Sequence, residues 1–171
     1  GADYCLNGGE EGGGAVSALR DAEEALALAQ EGKRVVVLAS GDALYHGLGG
    51  TLAALRKPGD NLAYHPAITA FQALFCRLGL PWQEARLFCV HSGEGLPSRG
   101  IAEAPLSVTY AGSRYPAHAI ARAVLGAHPA SARRAAIIAE RIGSDDERIL
   151  SGTLGELADA ACGPTSILVI F

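Results

Sequence analysis

The chain has no methionine, one tryptophan and an aromatic share of 6% over 171 residues. Charge is sparse as well: 14 lysines and arginines stand against 18 aspartates and glutamates, a formal net charge of −4. That balance removes the electrostatic case for nucleic acid or an anionic membrane surface, both of which call for clustered cations. No apolar run reaches the roughly 18 to 20 residues that span a bilayer. No secretory signal is visible, so the cytoplasm is the expected location. The four cysteines, Cys5, Cys76, Cys89 and Cys162, form no Cys-x-x-Cys, which argues against a disulfide framework or zinc site. They are expected to be reduced core residues, three of them having apolar neighbours. No His-x-x-x-His pair suggests a metal either.

What is present is a folding composition. Apolar residues make up 49% of the chain and charged ones 19%, which fits a folded protein and not a disordered one. The length allows one large or two small domains. The run Gly8-Gly9-Glu10-Glu11-Gly12-Gly13-Gly14 is expected to be a mobile surface loop. Val16, Leu19, Ala22, Leu26 and Ala29 then recur at helical spacing up to Gly32, a good helix stop before a strand starting near Arg34. Further helices are predicted near 46–56, 68–78, 116–126 and 154–160, with strands near 62–64, 86–90, 106–110, 135–139 and 165–171. This alternation predicts a parallel sheet. The Gly- and Pro-rich stretch from Ser92 to Gly100 predicts a boundary, with an N-terminal α/β domain over 1–92 and a C-terminal one over 93–171.

The most informative segment is Val35-Val36-Val37-Leu38-Ala39-Ser40-Gly41-Asp42-Ala43-Leu44-Tyr45-His46-Gly47-Leu48-Gly49. A β-branched run breaks into a small, glycine-punctuated turn that leads into a helix. In an α/β sheet such a turn sits at the carboxyl end of a strand, where glycines let a ligand approach the backbone. An ordinary βα turn is the alternative. Two further segments bear on the choice: Tyr64-His65-Pro66-Ala67-Ile68-Thr69-Ala70-Phe71, running on to Leu78-Gly79-Leu80-Pro81-Trp82, and Ala139-Glu140-Arg141-Ile142-Gly143 through Ser151-Gly152-Thr153-Leu154-Gly155-Glu156-Leu157.

Taken in order, these three segments resemble the tetrapyrrole (corrin/porphyrin) methylase family. The third resembles its precorrin-6Y, or cobalt-precorrin C5-methyltransferase, branch. Gly41-Asp42 and Leu78 to Trp82 match the family phrases outright. Ala43 stands where the family has proline, His46 where tyrosine is common, and Ala67 where glycine is usual. The family opens with a strand and a Gly-x-Gly-Pro-Gly turn that this chain does not show, so the first strand is expected to be missing and the chain truncated. The resemblance implies two small α/β domains with a cofactor cleft between them. It also implies S-adenosyl-L-methionine as methyl donor, methylation of a precorrin or cobalt-precorrin at the C5 meso carbon in cobalamin biosynthesis, and a homodimer. A separate C15-methylase/decarboxylase partner is expected because no such domain is fused here.

The same resemblance assigns cofactor contacts to Gly41, Asp42, Ala43, Leu44, His46, Gly47, Thr69, Ala70, Tyr110, Ala111, Ala139 and Glu140. Backbone groups at Gly41 to Leu44 and the Thr69 hydroxyl suit the amino-acid end of the cofactor, and the strand ends at Tyr110-Ala111 and Ala139-Glu140 fall where adenosine contacts are implied. Asp42 could instead bond the N–H groups of its own turn, and Tyr110 could be a half-buried core aromatic. His46, His65 and His91 could line one crevice, while His118 and His128 read as surface residues. Thr153 followed by Glu156 reads as a helix cap. Methyl transfer from a sulfonium is an in-line displacement governed by alignment, and no residue is singled out as a catalytic base. Other readings are a family member acting at a different ring carbon, a non-catalytic fragment of this fold, and an unrelated Rossmann-like binder. The last lacks a Gly-x-Gly-x-x-Gly after a strand.

Overall fold

The computed structural model describes residues 2–8, 15–90 and 95–171. Most of the glycine-rich run at 8–14, His91 and the start of the expected boundary at 92–94 therefore lie outside the described residues. Packing divides the chain into two compact units, Gly1–Thr69 and Ala70–Phe171.

In the first unit, β1 (Tyr4–Gly8) pairs in parallel with β2 (Val35–Ala39), joined by α1 (Ala15–Gln30) and followed by α2 (Leu48–Leu55). The β-branched residues of β2 favour the extended backbone. Ala22, Ala25 and Leu26 of α1 repeat at helical spacing and are buried with Leu48 and Leu52 of α2, against Leu6, Val35 and Val37. Gly32 ends the helix at φ +84°, with its N–H donating to the Ala29 carbonyl, the left-handed stop that glycine permits. The short strand expected at 62–64 is not formed. Tyr64 instead donates its hydroxyl to the Gly49 carbonyl at 3.2 Å, and Leu62 packs against the core of this unit.

The second unit runs α3 (Ala70–Leu78), β3 (Arg86–Cys89), α4 (Ser98–Glu103), β4 (Ser107–Tyr110), α5 (Ala117–Ala127), a 3-10 turn at Pro129–Arg133, β5 (Ala135–Glu140), β6 (Arg148–Thr153), α6 (Leu154–Leu157) and β7 (Ser166–Ile170). Its sheet has the order β3-β4-β7-β5-β6. Only β3 and β4 pair in parallel; β7 runs antiparallel to β4 and β5, and β6 antiparallel to β5. The expected parallel sheet is therefore a mixed one. The connection from β5 to β6 is too short for a crossover and can only fold back as an antiparallel pair. β7 is buried at every position, as befits the central strand. Ala136, Ile138, Leu168 and Ile170 meet Ile101, Ile120, Val124 and Leu154 from α4, α5 and α6 on one face. Their neighbours Val108, Ile137 and Val169 are buried on the other.

Arg134 ties this layer together. Its guanidinium donates to the carbonyls of Phe171, Ala102, Ala104 and Pro105 at 2.6 to 2.9 Å. Three of these acceptors lie at or just past the carboxyl end of α4, where helix carbonyls lack partners within the helix. The capping box expected at α6 is formed: Thr153 Oγ1 accepts the Glu156 N–H, and the Glu156 carboxylate accepts the Thr153 N–H. The division of the chain falls earlier than the boundary expected after residue 92, because β3 pairs with β4 and α3 is held to the end of β4. The cysteines carry no disulfide, but Cys5 and Cys76 are exposed, not in the core.

Candidate functional site

The turn after β2 is built around one carbonyl. The Gly49 N–H donates to the Ala43 carbonyl at 3.0 Å. A Cβ on Gly47 or on Gly49 would lie 2.6 Å from that same oxygen, closer than a side chain can come. Gly41 takes φ +70°, and the Asp42 carboxylate accepts the Leu44 N–H at 2.8 Å. That bond is the local one an aspartate in a turn commonly makes. His46 is held at φ +54°, costly for a residue with a Cβ and of the kind that clusters at functional sites. Its exposed ring meets Tyr45 edge-on at 4.9 Å.

Two segments far apart in sequence meet at this turn. A Cβ on Gly41 would sit 3.6 Å from the Ile68 carbonyl oxygen and 3.7 Å from the Thr69 Cα. Thr69 is buried, while Leu44 and Ile68 are 55% and 71% exposed. The first unit thus brings Gly41, Asp42, Ala43, Leu44, His46, Gly47 and Thr69 into one neighbourhood with open backbone and uncovered apolar side chains. His65 is exposed. Gly49 and Tyr64, which fix the turn, carry no signal in the sequence beyond a glycine pair and a tyrosine.

In the second unit, β4 and β5 each run antiparallel to β7, so β3, β4 and β5 point the same way. Tyr110-Ala111 and Ala139-Glu140 consequently finish at one end of the sheet, with β7 between them and about 10 Å between their strands. The Phe71 N–H donates to the Tyr110 hydroxyl at 2.9 Å, which places Ala70 at that end too. The Phe71 ring stands edge-on to both Trp82 and Tyr110. At the far end of α3, Arg77 pairs with Glu147 at 2.5 Å, and Glu147 also accepts the Gly143 N–H. This fastens the helix to the loop that follows β5.

Glu140 is 3% exposed, and both of its oxygens are engaged. One accepts the Gly163 N–H at 2.5 Å; the other accepts from Arg148. Arg148 in turn donates to the Ala161 carbonyl. This carboxylate is therefore a clamp joining β5, β6 and the segment before β7, and the backbone of Ala139-Glu140 lies buried between β6 and β7, in register with both. His128 is exposed, as read from the sequence, with its ring 3.0 Å from the Ser131 hydroxyl, whereas His118 is half-buried and lies 3.1 Å from the Cys162 sulfur. Among the described residues no cluster of three metal-ligating side chains occurs.

The model of the family described as Tetrapyrrole (Corrin/Porphyrin) Methylases matches residues 10–158. The fold is shared with the methyltransferase CobJ, at 20% identity and a TM-score of 0.77 over 99% of this chain and 82% of that one. It is shared with uroporphyrin-III C-methyl transferase from Thermus thermophilus, solved with S-adenyl homocysteine, at 21% identity and 0.74 over 99% and 80%. Precorrin-6Y methylase from Archaeoglobus fulgidus follows at 16% identity and 0.65 over 99% and 84%. No curated protein matches in sequence.

The Glu140 clamp has a pH signature. Burial works to raise its carboxyl pKa, but the Gly163 N–H and the Arg148 and Arg141 guanidiniums outweigh burial and hold it below the usual carboxylate range. A depressed folded-state value contributes stability that is present above the unfolded value and is lost as pH falls through the folded one. Glu140→Gln is expected to cost about 2 kcal/mol near pH 7, and the gap to the unsubstituted protein is expected to be smaller at about pH 3 than at about pH 7, because the contribution is lost as pH falls through the depressed carboxyl pKa. Urea midpoints at both pH values check this; an equal gap at the two would contradict it.

Proposed function

This chain belongs to the tetrapyrrole (corrin/porphyrin) methylases, a family of S-adenosylmethionine-dependent methyltransferases, and on that footing we propose that it methylates a precorrin or cobalt-precorrin at the C5 meso carbon. When bound, S-adenosylmethionine supplies a methyl group already activated on a sulfonium. The observation that carries the reading is the meeting of Gly41 with Ile68 and Thr69, since the resemblance assigns both segments to the cofactor. The residues fit such a ligand. Gly41 to Leu44 offer backbone donors and acceptors, Asp42 a negative charge for an ammonium group, and Leu44 and Ile68 apolar surface.

The protein's task in this chemistry is alignment. Holding donor and acceptor carbon at near-attack distance contributes several kcal/mol without any covalent intermediate. A turn pinned at Ala43 and a sheet end fixed by Glu140 suit that task, because neither needs to reorganise when the ligand arrives. The C5 position rests on the 139–157 segment. The fold shared with CobJ and uroporphyrin-III C-methyl transferase supports a second reading, methylation at another ring carbon.

Incubation with a late precorrin pool and carbon-labelled S-adenosylmethionine, followed by carbon NMR of the product, decides between them. Label at the C5 meso carbon is expected. Label at a pyrrole β-carbon would replace C5 by the second reading, and no transfer from a folded, donor-binding protein would overturn both.

Asp42→Asn separates charge from turn geometry, because asparagine retains the oxygen that accepts the Leu44 N–H. The thermal midpoint is expected to stay in place while KM for S-adenosylmethionine rises about tenfold, about 1.4 kcal/mol. An unchanged KM would mean that Asp42 serves the turn alone.

A further inference from the structure

Resting on the cofactor reading above, we infer that Tyr110 is a positioning residue for the cofactor-binding backbone at Ala70, not a group that touches the cofactor. The N–H that donates to the Tyr110 hydroxyl at 2.9 Å belongs to the peptide joining Ala70 to Phe71. A peptide unit is planar, with its carbonyl directed opposite to its N–H. Fixing the Phe71 N–H therefore fixes the plane of the peptide through which Ala70 enters α3. This peptide opens α3, where the N–H groups have no acceptor within the helix. The phenol oxygen supplies the acceptor the helix cannot.

Both partners are held from outside the bond. Tyr110 is the last residue of β4, in register with Ile167 of β7 and Cys89 of β3, and the next residue, Ala111, donates its N–H to the Ser166 carbonyl at 2.9 Å. Phe71 is 4% exposed, and its ring lies edge-on between those of Trp82 at 5.2 Å and Tyr110 at 6.2 Å. The hydroxyl thus projects from a rigid strand end onto a helix start whose side chain is packed in place. Its direction toward Phe71 gives it a job at the cofactor site that a half-buried aromatic would not need: it holds the first peptide of α3, and with it the backbone at Ala70, in place.

Tyr110→Phe keeps the ring and its edge-on contacts and removes only the hydroxyl. Calorimetric titration with S-adenosylhomocysteine, the demethylated product, is paired with amide hydrogen exchange at Phe71 and a thermal midpoint for each protein. The expected result is a dissociation constant about tenfold higher per folded molecule, faster exchange at Phe71 and little change in midpoint. Affinity per folded molecule is a quantity that a purely structural role would leave alone, so an unchanged constant beside faster exchange would overturn the inference. A weakened affinity with unchanged Phe71 exchange would also overturn it, because the hydroxyl would then be acting on the ligand directly. No binding by the unsubstituted protein at millimolar ligand would overturn the cofactor reading itself, and this inference with it.

Discussion

The Ala43 carbonyl is the fixed point of the first unit. It accepts the Gly49 N–H, and the chain passes so close to it at Gly47 and Gly49 that neither position has room for a Cβ. Everything the turn presents follows from that closeness. Gly41 can lie against Ile68 and Thr69, Asp42 can close on the Leu44 N–H, and His46 is driven into a left-handed conformation. The Tyr64 hydroxyl on the Gly49 carbonyl holds the pair from the other side. A turn over-determined in this way keeps its backbone groups pointed in fixed directions, which is what recognition through backbone atoms requires.

The second unit solves the same problem with charge. At the carboxyl ends of β4 and β5 the chain has to turn away from a fully buried central strand, and the Glu140 carboxylate gathers Arg148 and Gly163 around itself to do so. Burying a carboxylate is tolerable because its oxygens are filled by an N–H and a guanidinium. Tyr110 and the Arg77–Glu147 pair fasten the two ends of α3 to this same region. A mixed sheet thus ends in a rigid edge where backbone at Ala70, Ala111 and Ala139 is held in place.

Much of the fold was legible because the core-facing residues follow the period of their elements. The β-branched Val35 to Val37, the helical spacing of Ala22 and Leu26, and the apolar run at 166–170 each announce one element. β6 escaped notice because Arg-Ile-Leu-Ser-Gly-Thr has no buried position and carries a glycine that weakens a strand pattern. α4 was hidden inside a Pro- and Gly-bearing stretch that reads as a linker, although Ile101 and Ala102 are buried. Strand direction has no signature in periodicity, so the sheet was expected to be parallel. At the site, residue types pointed to the turn at 41–47 and offered, as one reading of Asp42, the bond to an N–H of its own turn that the structure shows. Nothing local in the sequence marked Glu140 as a buried clamp, because its partners Arg148 and Gly163 come near it only through the hairpin and the approach to β7.

The central claim is that the turn pinned at Ala43 seats the methyl donor. Calorimetric titration of S-adenosylhomocysteine into Gly49→Ala, beside the unsubstituted protein, tests it most directly, because a Cβ there would meet the Ala43 carbonyl at 2.6 Å and must displace it. The unsubstituted protein is expected to bind, and the variant to lose about tenfold or more in affinity while its second unit stays folded by circular dichroism. Equal affinity in the two proteins would contradict the account.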